Sequence, residues 1–442
     1  MKHATTTNRW SLFLILAATC SLTLAAQEIK SRPASDYLDL QQGVTEDELV
    51  TRALASNPTL AAQRQQVEMA KGDVTQAHLH MNPSLILGGL KEVNGEDHEI
   101  SVTGSLPLEL YGRRGRRTEA AENKEEVSQR SVADHERLLT GEVRIRFGEA
   151  LATIRDLEFI EQLVRVNLDF LKLMDDRVRQ GATPPLDADE SRVEVNRIET
   201  MRIDDQAKVE VALLALKEAV GIDPEEPIRL KGQLELGGLT YDQKQLLQLA
   251  MDHRPDLAMQ HANEALANAE LRSDKAMGRP DASVFGGYER PNSGFSQEAF
   301  DAAGNLSPIR QSFNHVVFGL NINLPVFDRK QGATVADIAA IRAAQDQIVA
   351  VNLNLRHEVT QNLVRFKGAQ ARVAVYGQGV RDQAARNLDV VRQTYSYGRT
   401  TLLDVIAEQR RYIDLETGYT DILLDAYVSH VALEQAIGTK LP

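Results

Sequence analysis

The chain has 442 residues and a single cysteine, and its 63 acidic against 50 basic side chains give a formal charge of −13. One thiol excludes a disulfide framework and a cysteine-held metal cluster, and the acidity excludes nucleic acid as a partner, since polyanions are bound by basic side chains. The same acidity reads either as ordinary solubility or as a negative lumen that tolerates cations.

At the N-terminus Lys2 and Arg9 precede an apolar run from Trp10 to Ala18, and small residues follow through Leu24-Ala25-Ala26. This is the pattern of a secretory signal peptide over residues 1–26, cleaved after Ala26. Cleavage there removes Cys20 and two basic residues. A second reading makes Cys20 a lipidated N-terminus, although Ala17-Ala18-Thr19 is a poor lipoprotein box. The apolar run is too short to span a bilayer, and no later segment supplies the roughly 20 apolar residues a membrane helix needs. Any membrane crossing must use strands.

The rest of the chain is a tandem duplication. Without a gap for about forty positions, Leu49, Ala53, Pro58, Leu60, Ala61, Gln63, Ala70, Pro83 and Gly89 fall on Leu246, Ala250, Pro255, Leu257, Ala258, Gln260, Ala267, Pro280 and Gly286. A longer polar loop between Pro291 and Ser312 then lengthens the second copy. Beyond it, Gly181, Leu186, Asp187 and Gly221 match Gly398, Leu403, Asp404 and Gly438. The first copy is placed at 27–221, a linker at 222–239 and the second copy at 240–442.

Each copy opens on a helix, with capping-box spacing at Thr45/Glu48 and Thr240/Gln243. Two extended segments follow Pro83, Ser84 to Leu90 and Glu99 to Leu108, around the turn Asn94-Gly95-Glu96-Asp97. Ala282 to Arg290 and Asn314 to Val326 repeat them. In the last, Val316, Phe318, Leu320, Ile322 and Leu324 share one face and His315, Gly319, Asn321 and Asn323 the other, the alternation of a membrane β-barrel strand or of a half-exposed soluble hairpin. Four strands cannot close a barrel, and open edges are not viable in lipid, so several chains must complete it.

Long proline-free stretches come next. Val143, Phe147, Ala150, Ile154, Leu157, Val164, Leu168, Leu171 and Val178 follow a coiled-coil period interrupted by Glu161 and Asp175. A helix from Arg116 to Gly181 would extend roughly 100 Å. The chain reverses at Gly181 to Leu186 and returns to Gly221, and the second copy does the same at Gly398 and Gly438, glycine being suited to a left-handed helix stop.

Several local sequences now carry a name. Asn82-Pro83, Leu106-Pro107-Leu108-Glu109-Leu110-Tyr111-Gly112-Arg113-Arg114, Arg254-Pro255-Asp256-Leu257, Leu324-Pro325-Val326-Phe327-Asp328-Arg329-Lys330-Gln331-Gly332 and Tyr397-Gly398-Arg399-Thr400-Thr401-Leu402-Leu403-Asp404-Val405, in that order, resemble the TolC-like outer-membrane efflux family. Within it they are similar to the branch for cobalt-zinc-cadmium and copper-silver resistance. The resemblance implies a mainly α fold with a transmembrane β-barrel part: a homotrimer in which four strands per chain build a twelve-stranded barrel and duplicated α-hairpins a periplasmic helical tunnel. It also implies an inner-membrane pump of the resistance-nodulation-division class and a periplasmic adaptor as partners, outer-membrane lipid around the strands, and localisation to the outer membrane with a periplasmic extension.

The resemblance also places the entrance at the helical-hairpin turns. Asp404 matches an aspartate that lines it, and Asp187 is its first-copy counterpart. The family can carry another aspartate three residues on, where this chain has Ala407 with Glu408 beside it. Tyr395 matches a tyrosine that holds the closed entrance, with Asp187 as its candidate partner. The competing role for Asp187 and Asp404 is a helix N-cap.

Chemistry elsewhere is sparse. His78 and His80 lack a carboxylate at ligand spacing in sequence, and Gly88-Gly89 and Gly286-Gly287 sit in strands rather than before helices, unlike phosphate loops. Arg113, Arg114, Arg116 and Arg117 read either as a site that attracts anionic headgroups or as charge that solvates the membrane exit. No catalytic pair, cofactor or metal site is expected, so the chain reads as a passive duct for heavy-metal cations, with drugs or organic solutes as the alternative cargo. A secreted coiled-coil scaffold is the reading from another class.

Overall fold

The computed structural model describes residues 32–234 and 241–441. The signal-peptide segment with Cys20, and Thr240, lie outside the described residues. In the first copy α1 (Glu46–Ser56) and α2 (Pro58–His78) precede β1 (Ser84–Lys91) and β2 (His98–Pro107), followed by α3 (Arg113–Arg179) and α4 (Pro185–Val220). The second copy runs α5 (Gln243–His253), α6 (Pro255–Met277), β3 (Asp281–Phe300), β4 (Leu306–Ser312), β5 (His315–Asn323), α7 (Gln331–Val375), α8 (Arg381–Ser396) and α9 (Leu402–Ile437).

The opening helix expected in each copy is broken in two. Asn57 and Arg254 precede prolines, which push the preceding residue out of the helical region, and both take extended ψ, 121° and 116°. Thr45 and Glu48 form the capping box of α1. In the second copy the box is Asp242 with Gln245, two residues later than the expected Thr240 and Gln243, because a carboxylate caps as well as a hydroxyl. At the breaks the two copies use the same carbonyl with different side chains. Asn57 Nδ2 donates to the Ala219 oxygen at 2.9 Å, and Arg254 Nη1 donates to the Ala436 oxygen at 3.0 Å while also binding Asp256 and Glu358.

The sheet is antiparallel, β1-β2-β3, with β4 and β5 both on the far edge of β3. Its register lines up side chains across four strand widths. Leu87, Val102, Tyr288 and Val316 are opposite one another in turn, as are Leu85, Gly104, Gly286 and Phe318, while Leu106, Val284 and Leu320 continue the row. On the reverse face Ser101 lies opposite Glu289 and His315 follows it. The expected polar loop from Pro291 to Ser312 is instead mostly strand. β3 runs on to Phe300 and β4 returns beside it, because the alternating residues pair in extended form as readily as those below them. A 20-residue β3 far exceeds the roughly 9–11 residues that cross a bilayer.

α3 has 67 residues, about 100 Å at 1.5 Å per residue. Its buried stripe follows the expected seam through Val143, Phe147, Ala150, Ile154 and Leu157, then shifts to Ile160, Leu163, Asn167 and Met174, leaving Leu168 exposed. Two successive steps of three, Leu157 to Ile160 to Leu163, rotate the stripe as a stammer does. The matching helix of the second copy is not continuous. Tyr376–Val380 form a π-helical turn between α7 and α8, in which Gly379 takes φ 138°.

The largest buried cluster joins α1, α3, α4 and α9 around Phe147, Ile154, Val209, Leu216 and Leu230. A charged group is embedded beside it. Arg144 binds both Glu46 and Glu434, and Tyr427 Oη donates to Glu46 at 2.5 Å. Among the described residues no helix is long and apolar enough to cross a membrane.

Candidate functional site at the helical hairpin tips

At the far end of α3 and α8 the chain reverses through Gly181 and Gly398, both with positive φ. The two tips are held together by a small core of Met174, Ala188, Tyr395, Leu402 and Val405, with Phe170, Val178, Val391 and Ile406 packed around it. Tyr395, on the last turn of α8, is buried there. Its hydroxyl donates to Asp187 Oδ2 at 2.8 Å and lies 3.4 Å from Met174 Sδ, and its ring meets Phe170 at 6.1 Å. This bond joins the hairpin of one copy to that of the other. Burial, then the hydrogen bond to Asp187, push the phenol up to about 12, so it keeps its donor proton at any physiological pH.

Asp187 is not an N-cap. The helix α4 starts at Pro185, and Pro184 ahead of it offers no side-chain cap, so the Asp187 carboxylate is left to receive Tyr395. Asp404 is the third residue of α9 and closes a capping box. Its Oδ2 accepts from the Thr401 backbone N–H at 2.9 Å, from Thr401 Oγ1 at 2.6 Å and from Thr400 Oγ1 at 2.7 Å. The side-chain and backbone donors of Thr401 and Thr400 hold the exposed carboxyl at about 2. It is therefore a fixed anion at the surface of the tip. Glu408, one turn along α9, is less open, with its side chain 17% exposed and 3.7 Å from Arg411.

The basic run after β2 divides by role. Arg113 binds Asp281 at 2.7 Å and the carbonyls of Met277 and Arg279; Arg117 binds Glu109 at 2.9 Å and the Ala77 and Leu79 carbonyls. These two staple the sheet to the helices rather than reaching for headgroups, and Arg116 pairs with Glu119. Tertiary contact supplies carboxylates that the sequence spacing of the histidines lacked, Glu122 at 3.6 Å from His78 and Glu109 at 3.7 Å from His80. No group of three or more metal-ligating side chains forms among the described residues. Missed in the sequence were Met174 and Phe170, whose only signal was membership of a helical stripe.

A family model described as outer membrane efflux protein matches residues 49–222 and, a second time, residues 246–439. The chain belongs to the outer membrane efflux protein family. The cobalt-zinc-cadmium resistance protein CzcC of Cupriavidus metallidurans is 23% identical over 399 residues, 89% of this chain and 90% of CzcC. The solved structure of CusC gives a TM-score of 0.70 at 17% identity over 92% of this chain and 96% of that one. VceC from Vibrio cholerae gives 0.70 at 17% identity, over 89% and 96%. The fold is thus that of the TolC-like channels, helical barrel and β-barrel part together, and the efflux protein is an outer-membrane duct with a periplasmic helical part, not an enzyme.

Proposed function

We propose that three copies of this efflux protein form one duct that receives heavy-metal cations from an inner-membrane pump of the resistance-nodulation-division class through a periplasmic adaptor. The observation that supports an assembly of several copies is the sheet, an apolar face continuous over four strand widths with open edges at β1 and at β4 and β5; the number three comes from the family likeness. Such a face suits lipid, and such edges require further copies. Detergent-extracted protein should have the mass of three mature chains, beginning after Ala26. Cation cargo is supported by the likeness to CzcC and by the exposed anion at Asp404.

The hairpin tips are the periplasmic entrance, and the Tyr395–Asp187 bond is a latch that holds it shut. Tyr395→Phe removes the donor and keeps the ring in its place. In planar bilayers it should raise the closed-state conductance of the trimer; unchanged conductance would remove the latch. Cells lacking the protein should lose tolerance to transition-metal cations. Loss of tolerance to organic solutes alone would move the cargo to that class.

A further inference from the structure

Ser191 and Glu194 lie four and seven residues beyond Asp187, on one face of α4. All three face the second hairpin's side of the molecule, and Ile198, next on the stripe, packs with Ile413 of α9. Two turns from the latch, about 10 Å along the axis, Glu194 makes a second connection. Its Oε2 accepts from Arg410 Nη2 of α9 at 3.0 Å, and its Oε1 from Arg197 Nη2 of its own helix at 2.7 Å. The Glu194 side chain is 4% exposed, that of Arg410 54%.

The packing around this pair mixes polar and apolar side chains and is incomplete. Glu194, Ser191, Asn167, Arg392 and Gln409 line one small cavity between α3, α4, α8 and α9. Arg392 Nη2 donates to Gln409 Oε1 at 2.8 Å, and Gln409 Nε2 is buried with no partner. Phe170, Leu402, Val405 and Ile406 line the same cavity, and Ile198 meets Ile413 one turn on, so the charge pair adds a polar connection to the apolar contacts between the hairpins. Burial would raise the Glu194 carboxyl, but Arg197 and Arg410 together hold it below its ordinary value, so it remains an anion.

We propose that Glu194 and Arg410 form a second clamp on the entrance, in parallel with the latch. The latch joins α4 to α8 and the clamp joins α4 to α9, so breaking either one leaves the two hairpins attached. The clamp deepens the reading of the tips as a gate and rests on it.

Closed-state conductance of the reconstituted full-length trimer tests it. Arg410 is half exposed, so Arg410→Glu sets two carboxylates face to face without opening the core. It should raise conductance about 5-fold or more, the scale of a one-contact coupling, and more than Arg410→Ala does. The reversed pair Glu194→Lys with Arg410→Glu should restore the closed state. Tyr395→Phe combined with Arg410→Glu should conduct more than either alone. A wild-type conductance in Arg410→Glu, or no recovery in the reversed pair, overturns the clamp. Full opening by Tyr395→Phe alone overturns the parallel arrangement and leaves the latch standing. A silent Tyr395→Phe beside a leaking Arg410→Glu removes the latch and keeps the clamp, and silence in every variant removes both.

Discussion

Tyr395 and Asp404 are both held in one protonation state by their neighbours, in opposite senses. The phenol is raised to about 12, so its contribution to folding is complete below pH 10 and is lost as pH rises from there through 12. The Asp404 carboxyl is depressed to about 2, so its contribution is complete above about pH 4 and is lost as pH falls through 2. Between those limits neither of these two groups changes charge. Asp404→Asn keeps a capping oxygen but deletes the charge, and should lower the cation preference measured by reversal potential while leaving assembly intact. Arg144 stands in a different environment, wedged between Glu46 and the nearly buried Glu434. Burial alone would raise Glu434, yet His430, Arg144 and the Leu441 N–H hold it at about 2. Arg144→Met strands two carboxylates and should destabilise the protein by about 3–5 kcal/mol in denaturant melts.

The elements repeat their joints more faithfully than their residues. Gly221 and Gly438 end α4 and α9 at φ 79° and 76°. A Cβ at Gly221 would come within 3.2 Å of Asn57 Cα and Ser56 O, and one at Gly438 within 3.0 Å of the His253 carbonyl oxygen. Each helix stop is pressed against the break between the two opening helices of its own copy. Gly221→Ala therefore meets both the left-handed penalty, about 1–2 kcal/mol, and a backbone contact at 3.2 Å that has to give way. Its melting transition should fall further than that of an alanine at Gly181, whose surroundings are open. The copies diverge where α3 is continuous and α7 and α8 are parted by the π-helical turn at Tyr376–Val380. Beside that break Tyr376 stacks on Tyr419 at 6.1 Å, and Arg381 sits 4.9 Å over the same Tyr419 ring. The interrupted helix thus keeps its hold on α9.

For the whole molecule the decisive property is the sheet's outward face. Phe318 is 83% exposed and sits in a row with Gly286, Gly104 and Leu85. A surface so apolar is ruinous in water and appropriate in hydrocarbon. Leu320→Arg, on that face, should cost about 2–4 kcal/mol of membrane stability, seen as lost trimer in outer-membrane extracts, while Asn321→Arg on the opposite face should be tolerated.

Much of this protein was written in patterns with a fixed period. Matched prolines and glycines betrayed the duplication, because a backbone break or a left-handed stop accepts few other residues. Strict alternation marked β5, and long proline-free stretches marked the helices. Tyr395 and Asp187 could be paired in advance only by family resemblance, since their separation along the chain holds no geometric information. Other features were decided by contacts between distant segments. The stammer at Leu157 to Leu163 depends on what α3 meets, and the strand character of residues 291–312 on a partner lying beside it. Glu194 was one glutamate among many in a charged helix. Only folding α4 against α9 buried it and gave it Arg410, because burial and pairing belong to surfaces that meet in space.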